Sequence, residues 1–140
     1  MPLPNTTGSV LENARLSSPV GIHLATATAP ATATLTAAQV ASGYIITTSA
    51  ATTTLTLPTG TLLGAGLGAV KGTTFDLFID NTGGANVVTM AVAANGILST
   101  AAADTAGSFG DLTVAAGATG LARYTLMFSS PTAYVFTRTG

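Results

Sequence analysis

The chain has no cysteine, no tryptophan and almost no charge. Its 140 residues include four Lys and Arg, five Asp and Glu and one His, so charged residues make up 6% and the net charge is -1. Without cysteine there is neither a disulfide staple nor a thiolate zinc site. Nucleic acid is excluded as a partner, because displacing counterions needs clustered cations and Arg15, Lys71, Arg123 and Arg138 are scattered. A polybasic membrane patch is excluded on the same ground. Mean hydropathy is +0.56, yet Thr and Gly interrupt every run approaching the length of a membrane span, so no membrane partner is expected. The opening Met1-Pro2-Leu3-Pro4-Asn5 has no positive region and no apolar core, and is not read as a signal peptide.

Catalytic parts are equally scarce. His23 lies between Ile22 and Leu24 with no carboxylate beside it, so it lacks the orienting acid and nucleophile that a catalytic base needs. Asp76 and Asp80 fall on one strand face roughly 13 Å apart, beyond the roughly 5 to 9.5 Å of a glycosidase carboxylate pair. Asp104 and Asp111 bracket a glycine-bearing loop and offer oxygen ligands to a calcium ion. Two carboxylates without EF-hand spacing or a third acid do not define a site. Gly64-Ala65-Gly66-Leu67-Gly68 lacks both the P-loop ending and the spacing of a dinucleotide fingerprint. No catalytic residue, metal or cofactor is assigned, and the chain is read as non-enzymatic.

What the chain does contain is Thr, Ala, Gly and Leu. From Leu16 to Val70 there is no Asp, Glu, Lys or Arg, whereas a soluble monomer normally devotes about a quarter of its residues to charge. Such a stretch fits a protein packed against copies of itself or against a larger assembly. A homo-oligomer is therefore expected.

The length predicts one domain. Residues 1–35 read as an extended N-terminal arm: Pro2, Pro4, Pro19 and Pro30 remove backbone donors, and the Ala-Thr alternation over 25–34 has the period of a strand with too little bulk to bury. Leu11, Leu16, Val20, Ile22 and Leu24 are its candidate apolar anchors on a larger assembly or a neighbouring subunit. Thr36-Ala37-Ala38-Gln39 is a capping box opening a helix of one or two turns, ended by Gly43.

Residues 36–140 read as a β domain. Short runs of period-2 alternation recur at Tyr44–Thr48, Thr53–Leu57, Thr74–Asp80, Val87–Val92, Ile97–Ser99, Asp111–Val114, Leu121–Phe128 and Ala133–Arg138. The fold class predicted is all-β, an antiparallel β-sandwich or jelly roll. Phe75, Leu77, Ile79, Val88, Met90, Tyr124, Leu126, Phe128 and Phe136 face its core. The runs on either side of Asn81–Asn86 are expected to pair as a hairpin, and so are the last two. Thr59 to Val70 is read as a loop with at most one helical turn, because Gly60, Gly64, Gly66 and Gly68 each cost about 1 kcal/mol relative to Ala in a helix.

The order of segments carries a resemblance. Leu35-Thr36-Ala37-Ala38-Gln39 leads to Thr53-Thr54-Leu55-Thr56-Leu57-Pro58, then Val70-Lys71-Gly72-Thr73-Thr74-Phe75, Ile79-Asp80-Asn81-Thr82, Ala85 to Met90, and finally Tyr124 to Phe128 and Tyr134-Val135-Phe136. Over residues 35 to 138 this resembles the small β-rich virion proteins of tailed bacteriophages, in particular capsid decoration (cement) proteins and related head-fibre modules. The resemblance implies a structural protein on the outside of the virion, assembled in the host cytoplasm. It implies the major capsid protein as partner and a homo-oligomer, often a trimer. The alternative is a fibre or adhesin-type module recognising a host receptor or glycan. Exposed Tyr and Asn clustered on loop tips would favour that alternative; Tyr44, Tyr124 and Tyr134 instead sit within strand patterns.

Overall fold

Between Ala25 and Val92 the chain winds as a coil, placing alternate strands in two different sheets. The computed structural model describes residues 25–98 and 110–140. In chain order the elements are β1 (Ala25–Thr28), β2 (Ala33–Thr34), α1 (Ala37–Ala41), β3 (Gly43–Ile46), β4 (Thr53–Leu57), α2 (Gly60–Leu67), β5 (Thr74–Asp80), β6 (Val88–Val92), β7 (Gly96–Leu98), β8 (Thr113–Val114), β9 (Leu121–Ser130) and β10 (Ala133–Arg138). One sheet has six strands in the order β1-β3-β5-β9-β10-β7, and the other has four in the order β2-β4-β6-β8.

This corrects the expected antiparallel sandwich or jelly roll. β1, β3 and β5 run parallel, as do β2, β4 and β6; β7 also lies parallel to β10. Antiparallel pairing is confined to β5 with β9, β9 with β10, and β6 with β8. The two sheets are mixed. Parallel neighbours cannot be joined by a tight turn; here the links from β1 to β3, β2 to β4, β3 to β5 and β4 to β6 each cross to the other sheet and back, passing through α1 or α2. The physical reason for the error is that period-2 alternation reports which residues face inward, not the direction of the neighbouring strand. The hairpin expected across Asn81–Asn86 fails for the same reason: β5 and β6 lie in different sheets. The hairpin of β9 and β10 is present, with a register shift at Ala133 and Tyr134.

Residues 25–34, grouped with the arm in the sequence reading, supply β1 and β2 to the two sheets, and Ala29 and Leu35 are buried. The capping box is formed. The Gln39 amide donates to the Thr36 hydroxyl at 3.1 Å, and the Thr36 amide donates to the Gln39 side chain at 2.9 Å. Gly43 follows in the left-handed region at φ 80°.

Gly60–Leu67 is helical over about two turns, a second correction. Thr59 caps α2 by accepting from the Leu62 amide, and Gly68 ends it at φ 62°. The glycines do not break this helix because its backbone lies directly on its neighbours. A Cβ on Gly64 would overlap the Pro131 carbonyl oxygen at the β9–β10 turn, and one on Gly66 would meet Ala37 of α1 at 2.5 Å. The propensity cost of glycine is offset by packing that no larger residue permits.

The inward faces of both sheets form one core. Leu77, Ile79, Val88, Met90, Tyr124, Leu126, Phe128 and Phe136 are buried in it, as expected; Phe75 is only half-buried at its margin. Tyr124 and Phe136 stack with ring centroids 4.7 Å apart.

Candidate interaction face

Most residues that drew attention in the sequence have structural roles or lie outside the described residues. His23, Asp104 and the anchors Leu11, Leu16, Val20, Ile22 and Leu24 fall in the second group. Asp111 is buried and pairs with Arg138 at 3.3 Å. Its other carboxylate oxygen accepts from the Thr113 amide and hydroxyl, both at 2.8 Å. Among the described residues no group of three His, Cys, Asp or Glu converges as metal ligands, and no helix is long and apolar enough to cross a membrane.

A buried polar cluster, unsignalled in the sequence, joins successive turns of the coil. Thr47 and Ser49, after β3, and Asn81, after β5, are fully buried. Asn81 Oδ1 accepts from the Thr47 hydroxyl at 2.6 Å and lies 2.9 Å from that of Ser49, while Nδ2 donates to the carbonyls of Asn86 and Ala115. In sequence Asn81 looks like an ordinary turn residue; only the stacking of the two arcs makes it a hub.

The two outward sheet faces differ sharply in chemistry. Outside the four-stranded sheet, register aligns Thr54, Thr89 and Thr113 in one row and Thr34, Thr56 and Ala91 in the next. That face is hydroxyl and methyl. Outside the six-stranded sheet, Ile97, Val135, Met127 and Thr74 form one row across β7, β10, β9 and β5. Thr26, Tyr44, Phe78 and Arg123 form another, with Thr28, Ile46, Asp80 and Leu121 beside it. Ile97 is 60% exposed, Leu121 50%, Met127 43% and Ile46 36%; four of the seven large exposed hydrophobics among the described residues therefore lie on this one face.

Its charges are Asp76, Asp80 and Arg123. Asp80 accepts from the Thr82 hydroxyl and amide and from the Tyr44 hydroxyl. The Thr82 hydroxyl, then Tyr44, hold its carboxyl below the ordinary value, and the same bond raises the Tyr44 hydroxyl. Asp76 accepts from Thr125 at 2.7 Å. Arg123 sits opposite Phe78, between the two acids in register. Its guanidinium donates to Thr139, and among the described residues it makes no ion pair. Phe78, Leu121, Arg123 and Gly140 surround a shallow depression of about 310 Å³ on this face.

Comparison with protein-family models, curated proteins and solved structures finds no match to this chain.

Proposed function

We propose that this protein is a non-enzymatic assembly subunit, whose work is done by its surfaces. In particular, it is a capsid decoration protein of a tailed bacteriophage, bound to the outside of a shell of major capsid protein as a closed homo-oligomer. The observation carrying this reading is the uncovered apolar face of the six-stranded sheet, on a chain with so little charge elsewhere. An apolar patch of this kind on a folded protein marks an interaction surface. The order of segments from Leu35 to Phe136 supports the virion assignment through the resemblance stated above.

The fibre or adhesin alternative draws less support. Tyr124 and Tyr134 are buried, and Tyr44 lies on a sheet face, not at a loop tip. In the favoured reading the segment carrying Leu11, Leu16, Val20, Ile22 and Leu24 contacts the shell, at a backbone entropy cost of about 1 to 2 kcal/mol per residue ordered. Only an extensive contact offsets that.

The test adds purified protein to shells that lack it and measures bound copies and survival on heating. Saturable binding in hundreds of copies with raised heat resistance is expected, and removing residues 1–24 should weaken both. Binding to a glycan or cell surface with no affinity for shells would overturn the reading.

A further inference from the structure

We infer that the outward face of the six-stranded sheet is where copies of this chain bind one another, so that its occupant is a second copy rather than the shell or a small ligand. The inference rests on the assembly reading above and names the surface that reading leaves open.

The distribution of residues is the first argument. Both sheets expose one face in the isolated chain, made by the same backbone under the same strand propensities. The first carries Thr and Ala alone in its aligned rows, whereas the second interleaves its Thr with Ile46, Phe78, Ile97, Leu121, Met127 and Val135. Strand propensity alone treats Thr and Ile alike, so the difference reflects what covers each face. Water suits the first and another apolar surface suits the second.

Charge is the second argument. A face meant for a strongly charged partner would carry one sign. This one carries two acids and one base, with Arg123 set between Asp76 and Asp80 yet joined to neither. Such a pattern complements itself across a two-fold axis, as in a dimer: a second copy can bring its Arg123 to the acids of the first and offer its acids in return.

Size is the third. With strands about 4.8 Å apart, rows about 6.7 Å apart and each row crossing at most four strands, the face measures roughly 20 by 14 Å in plan. That is below the accessible area of about 800 Å² that one partner contributes to a standard interface, and suits a small, reversible contact between copies. The depression beside Phe78 and Leu121 gives the face relief in which an apolar side chain of the second copy can seat.

The experiment uses the full chain in sedimentation velocity over a range of concentrations. The wild type should associate. Met127→Glu with Leu121→Glu should weaken association by about 100-fold or more, since each places a charge in a desolvated contact. Thr56→Glu with Thr89→Glu, on the hydroxyl face, should leave association unchanged. Circular dichroism melts check that each variant remains folded. Because the chain has no cysteine, Met127→Cys and Thr56→Cys each add a single thiol. A short bis-maleimide should link copies of M127C and not of T56C, so the inference stays testable even if the double glutamate variant unfolds. A wild type that stays monomeric, or one whose oligomer ignores the glutamates at 121 and 127, overturns the inference. If such a protein still decorates shells, the proposed function survives that result. Association through this face without any affinity for shells would sink the proposed function instead.

Discussion

Asn81 accepts a hydrogen bond of 2.6 Å from the hydroxyl of Thr47, although the two residues lie 34 positions apart. Each sits where the chain leaves the six-stranded sheet for the other one, a full turn of the coil apart. The bond ties one turn to the next, as the backbone does where the Asn86 amide donates to the Ser49 carbonyl at 3.1 Å. Among the described residues every buried side-chain polar atom has a partner. The cluster is therefore complete, and its members depend on one another.

Removing Asn81 should be costly. Asn81→Ala leaves the hydroxyl of Thr47 only the Asp80 carbonyl, at 3.3 Å, and strands the carbonyl of Ala115; an unsatisfied buried group costs about 1 to 3 kcal/mol, to which the emptied side-chain volume adds. A total loss of about 3 kcal/mol or more is expected in urea unfolding. Asn81→Asp keeps the shape but turns two donated bonds into contacts between acceptors, so it should be no milder. A loss below about 1 kcal/mol in both variants would mean that the arcs hold without this residue.

Gly64→Ala offers an inverted propensity test. In an exposed helix this change gains about 1 kcal/mol. In α2 the new methyl meets the Pro131 carbonyl oxygen, so either the helix or the β9–β10 turn must move. A destabilisation of about 1 to 3 kcal/mol is expected, as for other overpacked sites. A gain in melting temperature would show that α2 shifts freely.

These two sites also mark where the sequence stopped being legible. Alternation around Leu77, Ile79, Val88, Met90, Leu126 and Phe136 identified the strands and their inward faces, because a buried face leaves a local period. Strand direction leaves no such trace. The connection from Asp80 to Val88 reads equally as a hairpin or as an arc to another sheet. The glycines of α2 read as helix breakers because their benefit comes from Pro131 and Ala37, distant in sequence. The apolar outer face escaped notice for a related reason. Ile97, Val135 and Met127 belong to three separate segments, and only their register places them in one row. Phe78 and Tyr44 are aligned in the same way.

The Tyr44–Asp80 contact predicts a pH dependence. Hydrogen bonds from Thr82 and Tyr44 lower the folded-state value of Asp80 below its ordinary 3.8. The stabilisation is thus fully present above that ordinary value and is lost as pH falls through the lowered one. Asp80→Asn should narrow the difference in urea midpoint between about pH 6 and about pH 2. Tyr44→Phe should narrow it less, since the Thr82 hydroxyl is the larger cause. An Asp80→Asn profile parallel to that of the wild type would show that the carboxylate has the same environment folded and unfolded.

The ion pair of Arg138 with Asp111 separates stability from geometry. Both side chains are nearly removed from solvent, at 7% and 1% exposure. The guanidinium also donates to the carbonyls of Thr113 and Gly140, at 2.8 and 3.0 Å. It thereby fastens the C-terminal strand to the start of β8. Arg138→Met leaves a carboxylate buried without its cation, which typically costs about 3 to 5 kcal/mol. Asp111→Asn alone keeps an acceptor for the Thr113 amide but leaves the guanidinium unpaired. Combining Asp111→Asn with Arg138→Met removes both charges at once, and the double variant should be less destabilised than the sum of the singles by at least about 1 kcal/mol. Four unfolding curves, for the wild type, the two singles and the double, complete the cycle. Strict additivity would mean that the two charges do not support one another, and that Arg138 holds β8 through the Thr113 carbonyl alone.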